Sequence, residues 1–295
     1  MNQTTLTADQ IKRVKGEGFL HNRATRRFSA RVITENGTLQ AHQLAALSEA
    51  AARYGNGTVA FTVRMTVEVP GIEYENIGNF QALIAKVGLK TGGTGAKVRP
   101  VVSCKGTTCV FGLCDTQRIA KQMHDRFYEG FRGTTLPHKF KIAVGGCPNN
   151  CVKPDLNDIG IVGQRIPIVD FDACRGCKVC GMVKACPMDA IEVRGGKVAI
   201  DSARCIHCGR CVGACPFHIA DNFEDRFKVY VGGMWGKSVR MGAALDALFT
   251  EEEALDVVER AILLYQREGA PGERFGKTCD RIGMDAINEM LTSAI

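Results

Sequence analysis

Thirteen of the 14 cysteines in this 295-residue chain fall between Cys104 and Cys215. A stretch that crowds so many thiols must either cross-link them or bind something with them, and their spacing decides which. Cys174, Cys177 and Cys180 are followed by Cys186-Pro187, and Cys205, Cys208 and Cys211 by Cys215-Pro216. C-x2-C-x2-C sets three thiolates around the corners of an iron-sulfur cubane, and a remote Cys before Pro ligates the other of two clusters. Cys174, Cys177, Cys180 and Cys215 are therefore expected to hold one [4Fe-4S] cluster, and Cys205, Cys208, Cys211 and Cys186 a second. Five residues lie between Cys180 and Cys186, where three lie between Cys211 and Cys215. Because Cys186 serves the other cluster, the extra residues lengthen a helical turn without disturbing the first triplet. Zinc knuckles share the C-x2-C pair, but seldom add a third cysteine two residues on and then Cys-Pro.

Between the two runs, residues 190–193 and 197–201 alternate around Gly195-Gly196, which predicts a hairpin. Two triplets joined through a hairpin are how a two-cluster ferredoxin is built. Thiolates that bind iron must stay reduced, so the cysteines argue against a disulfide framework and for the cytoplasm. The first 19 residues contain no apolar signal-peptide core, and no stretch approaches the length of a membrane span. A formal charge of +7, with basic runs at 11–15 and 23–31, could suggest nucleic acid. That count treats the thiols as neutral, and no nucleic-acid-binding motif accompanies it, so a solvated basic face is the expectation.

The remaining pattern is α+β. Helices are predicted over 41–53, 76–87, 115–131 and 251–267, and strands over 58–69 and 139–144. Gly92-Gly93-Thr94-Gly95 lacks the Walker lysine and the G-x-G-x-x-G spacing, and so reads as a turn. The two cluster runs, 166–222, sit inside the chain. The divisions expected are 1–90, 91–165, the insertion 166–222, and 223–295 as resumption of the host.

Upstream lies a second kind of cysteine set. Cys104 and Cys109 enclose four residues, and Cys147 and Cys151 enclose three within Gly146-Cys147-Pro148-Asn149-Asn150-Cys151. This arrangement resembles the cluster signature of the sirohaem-dependent sulfite and nitrite reductases, in which the first pair usually encloses five. Cys104 and Cys109 are assigned, with Cys114 as a neighbouring competitor. Leu136-Pro137-His138-Lys139-Phe140-Lys141 is similar to the family segment whose two lysines face the substrate oxyanion. Arg31, ahead of Thr34-Glu35-Asn36-Gly37, and Arg99 resemble the two arginines of that pocket. Arg64, in Phe61-Thr62-Val63-Arg64, falls where the family contacts sirohaem carboxylates. Gly232-Gly233 and Glu273-Arg274-Phe275-Gly276 are similar to segments near the end of such chains. With an inserted ferredoxin segment, the likeness is greatest to dissimilatory sulfite reductase subunits and to the catalytic C subunit of anaerobic sulfite reductase.

The resemblance implies a half-domain of that reductase fold carrying sirohaem and three [4Fe-4S] clusters. Sulfite would be reduced to sulfide by six electrons, with nitrite as the alternative substrate. Cys104, Cys109, Cys147 and Cys151 would hold the third cluster, Cys151 bridging it to the sirohaem iron and pushing electron density toward the distal bond. Arg31, Arg99, Lys139 and Lys141 would bind the oxyanion and stabilise charge as oxygen leaves. Full assimilatory enzymes contain the half-domain twice, whereas this chain has one copy, so a dimer of like chains, or assembly with related subunits, is expected. No flavin or nicotinamide fingerprint is present. Electrons should come from an external ferredoxin or a flavin- or deazaflavin-linked subunit. A different class of protein, a non-catalytic electron-transfer subunit without sirohaem, shares the cysteines. Cys279 fits no set and reads as a small buried hydrophobe.

Overall fold

The computed structural model describes residues 6–293. The first five residues of the segment read as free of a signal-peptide core, and the last two of the 223–295 division, lie outside the described residues.

An N-terminal unit opens with α1 (Ala8–Gly16), β1 (Phe19–His21), β2 (Phe28–Val32) and α2 (Ala41–Tyr54), followed by β3 (Ala60–Phe61), β4 (Val67–Ile72) and α3 (Ile77–Ala85). Its antiparallel sheet has the order β1-β2-β4-β3. Phe19, Phe28, Leu47 and Phe80 close the core between sheet and helices, each with no exposed surface. The strand anticipated over 58–69 is broken in two. Thr62 and Thr66 bring their hydroxyls to 2.7 Å, and Met65 takes a left-handed φ of 57°, so the chain turns back and β3 pairs with the start of β4. β4 then continues through Pro70-Gly71. The missing proline N–H breaks no ladder there, because the pairing with β3 ends at Glu68, and the Pro70 carbonyl accepts from the Asn56 N–H at 3.0 Å.

A five-stranded sheet forms the main body. It comprises β5 (Val102–Ser103), β6 (Ile142–Gly145), β7 (Ile159–Ile168), β10 (Asn222–Val231) and β11 (Ala243–Phe249), in the order β11-β10-β7-β6-β5. β5, β6 and β7 are mutually parallel, and β10 and β11 continue antiparallel. α4 (Thr116–Met123) connects β5 to β6. The helix anticipated over 115–131 instead widens into a π-helical segment, His124–Glu129. α6 (Glu251–Glu268), α7 (Phe275–Ile282) and α8 (Met284–Thr292) cover the sheet. α6 starts from a full capping box between Thr250 and Glu253. Phe140, Tyr265 and Phe275 stack into one aromatic knot with centroids 5.3–5.8 Å apart. Cys279 packs fully buried in this core.

The insertion leaves the sheet between β7 and β10, which are direct neighbours paired over ten residues from Ile159↔Val231 to Ile168↔Asn222. Its ends therefore emerge side by side. Inside it, α5 (Gly181–Ala185) occupies all five residues between Cys180 and Cys186. β8 (Ile191–Arg194) and β9 (Lys197–Ile200) form the hairpin, with Gly195 and Gly196 at φ 59° and 75°. Positive φ at both central positions is what a two-residue turn of this twist requires. Its apolar core is small and includes Cys211 and Cys215.

Candidate functional site

Parallel pairing decides where the upstream cysteines meet. β5 and β6 run side by side with Ser103 opposite Val144, so their trailing ends deliver Cys104 and Gly146-Cys147 to neighbouring positions. The Gly146 N–H donates to Cys104 Sγ at 3.2 Å. A Cβ on Gly146 would lie 3.0 Å from Gly106 Cα and 3.3 Å from that sulfur, so the approach requires glycine. Burial pushes the Cys147 thiol up, the Asn149 N–H opposes this, and the thiolates of Cys104, Cys151 and Cys109 add to the rise. Those four cysteines thus share one patch, with Cys151 the exposed member. Cys114 turns into the main core against Gly163, where burial pushes its thiol up to about 12. Among the described residues, no three or more His, Cys, Asp or Glu side chains are arranged to hold a single metal ion.

The predicted cations gather at the other ends of the same strands. Val98 bridges Phe140, and the Arg99 N–H donates to the Phe140 carbonyl at 2.8 Å. The Ile159 N–H donates to the Lys141 carbonyl at 3.1 Å. Arg99, Lys141 and Asp158 therefore line up across the leading ends of three adjacent strand segments, and Arg64 reaches in from the Thr62–Thr66 turn. Arg64 donates to Asn157 Oδ1 at 3.1 Å and to the Ile142 carbonyl at 3.0 Å. Arg99 donates to the carbonyls of Gly93 and Gly95, which makes the glycine loop its anchor. Arg31 reaches the same field but is paired with Glu68, its cross-strand partner.

The cluster is short of negative charge. Burial first, and neighbouring arginines second, lower both Arg64 and Arg99 to about 10, while Asp158 opposes the shift. Burial likewise lowers Lys141 to about 8, helped by Arg64, Arg274 and Lys139. Burial, then Arg274 and Arg99, lower Lys139. His138 accepts the Lys139 N–H at Nδ1, 2.7 Å away, which leaves its ring proton on Nε2 when neutral. The Nε atoms of Arg64, Arg99 and Arg274 are all buried with no acceptor. Three buried donors without partners in one cationic pocket suit a ligand bearing several carboxylates or oxyanion oxygens. The residues present therefore fit sirohaem, whose rim is carboxylated.

Sequence spacing does not single out Asp158, Asn157 or Arg274 for this pocket. Arg274 lies within Glu273-Arg274-Phe275-Gly276, and Asp158 is a lone acid immediately before the apolar run 159–162. Either could be flagged from the sequence as a charge bound for burial. One separation is unanticipated. Cations stand at the leading ends of β5–β7 and the cysteine patch at the trailing ends; the four residues of β6 alone span about 13 Å.

The inserted cysteines sort into two sets. A small recess is lined by Cys186, Cys205, Cys208 and Cys211. Burial pushes Cys211 up to about 11, and Cys205, Cys208 and Cys186 add to it. The remote Cys186 thus joins the second triplet. For the first set, a Cβ on Gly181 would meet the Ala214 carbonyl at 2.1 Å, so Cys180-Gly181 abuts Ala214-Cys215. Backbone N–H groups of Val198 and Ala190 donate to the sulfurs of Cys174 and Cys186, each at 3.3 Å. Such bonds suit thiolates carrying the charge of a cluster. The second set also lies beside the upstream patch: the Arg165 N–H donates to the His207 carbonyl at 2.7 Å, and Arg210 lies 5.9 Å from the Phe111 ring in the Cys109–Cys114 loop.

Comparison with known proteins agrees with this architecture. Residues 94–294 match the family model of the nitrite and sulphite reductase 4Fe-4S domain, and residues 21–87 that of the nitrite/sulfite reductase ferredoxin-like half domain. The coenzyme F420-dependent sulfite reductase of Methanocaldococcus jannaschii is 30% identical over 247 residues, 81% of this chain. The match spans only 39% of that longer protein. The C subunit of the anaerobic sulfite reductase of Salmonella typhimurium is 29% identical over 280 residues, covering 88% of this chain and 77% of that one. A crystal structure of dissimilatory sulfite reductase I superposes with a TM-score of 0.69 at 21% identity, covering 91% of this chain and 70% of the other. No helix among the described residues is long and apolar enough to cross a membrane. With both of its parts matching one family's two models, the chain belongs to the nitrite and sulphite reductases.

Proposed function

We propose that this chain is a sirohaem-[4Fe-4S] reductase that converts sulfite to sulfide with six electrons, delivered through two ferredoxin-type clusters in the insertion. The observation that carries this reading is the cation pocket, with its three buried arginine Nε donors lacking acceptors, on a chain that also gathers a thiolate quartet. A purely electron-transferring subunit has no use for such a pocket, whose cost in desolvation only a bound anion offsets. Sulfite is preferred because the Methanocaldococcus and Salmonella relatives are both sulfite reductases by name.

Sirohaem, when bound, would supply the iron redox centre at which a small oxyanion takes up electrons. Cys104, Cys109, Cys147 and Cys151 would hold the adjoining cluster, and Cys151, the exposed member, would be the thiolate available to the sirohaem as well. Arg64 and Arg99 would hold carboxylates through their free Nε groups. Lys139 and Lys141, whose Nζ atoms make no hydrogen bond or ion pair within the described residues, are left to face the substrate. A lysine lowered to about 8 can both attract an anion and give up a proton near neutral pH. Electrons would enter at the outer Cys174 set, pass the Cys205 set, and reach the Cys104–Cys151 patch beside it. An external ferredoxin or a deazaflavin-linked subunit is the donor proposed.

The separation of pocket from quartet gives the oligomer a chemical role. Since the cations stand at one end of β5–β7 and the thiolates at the other, the pocket of one copy would close over the sirohaem held by the quartet of a second. The cheapest test is the visible spectrum of the purified, reconstituted protein, followed by steady-state rates with sulfite and nitrite on one artificial donor. Sharp sirohaem bands and a higher kcat/KM for sulfite are expected. Broad cluster absorption alone would overturn the enzyme reading, and a preference for nitrite would overturn the substrate.

A further inference from the structure

Arg274 and Asp158 form the most buried ion pair in the pocket, yet the pair is not built as a simple neutralising contact. Asp158 has no exposed surface and the Arg274 side chain only 13%. An arginine that serves a carboxylate usually meets it with two parallel N–H bonds from two nitrogens. Here Nη2 alone reaches both Asp158 oxygens, each at 2.9 Å, while Nε is buried without an acceptor. Half of the guanidinium is thereby kept in reserve. The same carboxylate accepts the Lys141 main-chain N–H at 2.9 Å, and the Asp158 carbonyl accepts from Gly232 at 2.8 Å. Gly276, in the first turn of α7, packs so tightly on Gly232 that a Cβ would fall 2.3 Å from its carbonyl oxygen. Arg274 is thus fixed by a helix start, a strand start and a buried acid together.

Its charge also belongs to the pocket, since Arg274 is among the influences on Arg64, Arg99, His138, Lys139 and Lys141. Against these cations the pocket sets Asp158, and Glu68 is taken by Arg31. A single buried carboxylate shared by an arginine and a lysine main chain leaves the positive surplus intact and aimed.

We propose that Arg274 is a further anion-binding residue of this pocket, and that Asp158 is the positioning residue that presents both Arg274 and Lys141 to the bound anion. The inference rests on the proposed function, and its ligand is an oxyanion: either a carboxylate of the macrocycle or the sulfite ion itself. The two sources are separable. Full-length wild type, Arg274→Gln and Arg274→Lys are reconstituted and compared for sirohaem per chain and for the dissociation constant of sulfite from its spectral shift. If the acceptor is a macrocycle carboxylate, Arg274→Gln lowers sirohaem content at limiting cofactor about tenfold and leaves the sulfite constant of loaded chains unchanged. If it is the substrate, content holds and the constant rises about tenfold. In either case Arg274→Lys recovers part of the loss. Because removing one partner of a buried pair can unfold a protein, the paired Asp158→Asn, Arg274→Gln variant, which keeps a neutral hydrogen-bonded contact, is measured alongside with circular dichroism. The same loss is expected from it with an unchanged fold. A folded variant that matches wild type in both content and affinity overturns this inference alone. A wild type that takes up no sirohaem overturns it together with the functional reading.

Discussion

The two ends of the three parallel strand segments β5, β6 and β7 carry opposite chemistry. At the trailing ends, close glycine contacts and a backbone donor gather the thiols proposed to hold a cluster. At the leading ends, a fully packed core of Phe140, Ile142, Ile159 and Phe275 holds cations already in place. On the proposed reading one end is an incomplete scaffold and the other a finished receptor. The difference teaches that soft ligands can be set by local loop geometry, whereas a pocket of like charges must be forced together by the rigid body behind it. On the proposed reading it also separates electron delivery from anion binding within one chain, so that each copy would hold half of what the reaction needs.

The comparison can be broken from either end. The larger effect is expected from Cys208→Ser, which strikes the trailing side alone. Loss of one of three clusters should remove about a third of the iron-sulfur absorbance and abolish donor-driven turnover. Sirohaem content and sulfite affinity should stay within about twofold of wild type. A variant that no longer takes up sirohaem would show that the two ends are not independent. A smaller effect is expected from alkali acting on the leading side. Lys141 is lowered to about 8 by burial and by its cationic neighbours, against roughly 10.4 in an unfolded chain. Between those values the unfolded state binds the extra proton, so stability of the sirohaem-free protein should rise with pH from about 8 to 10 and then level off. Thermal unfolding of wild type and Lys141→Met over that range checks it, and equal slopes in the two proteins would contradict the assignment.

How far each end can be read from sequence follows the same division. The cluster triplets, the Gly195-Gly196 hairpin and the helix after Thr250 are local, and spacing or capping alone identifies them. The pairing of Cys186 with the second triplet is legible because the remote Cys-Pro rule is itself a spacing rule. Resemblance supplies Arg64, Arg99, Lys139 and Lys141, but not what holds them. Arg99 is anchored by the glycine loop, Arg64 by Asn157, and Arg31 is diverted to Glu68. Asp158 and Arg274 meet across 116 residues of chain, a distance over which no periodicity speaks. The break at Thr62–Thr66 and the π-helical turn after Met123 are likewise tertiary outcomes imposed on segments whose composition favours a continuous strand and helix. Nor can spacing tell which end of a strand each motif will occupy, and on the proposed reading that placement is what makes a second copy necessary.

That necessity is the central claim, and mixing two disabled chains tests it most directly. Cys151→Ser removes the shared thiolate from the trailing end, and the double substitution Lys139→Met, Lys141→Met removes the lysines from the leading end. Each variant alone should be inactive. When the two are dissociated, mixed in equal amounts and reassembled, half the dimers pair unlike chains, and each of these regains one of its two sites, so sulfite reduction should return to about a quarter of wild type for a two-fold symmetric dimer. A mixture that stays inactive while its chains demonstrably co-assemble, or a wild-type monomer with full activity, would contradict the shared site.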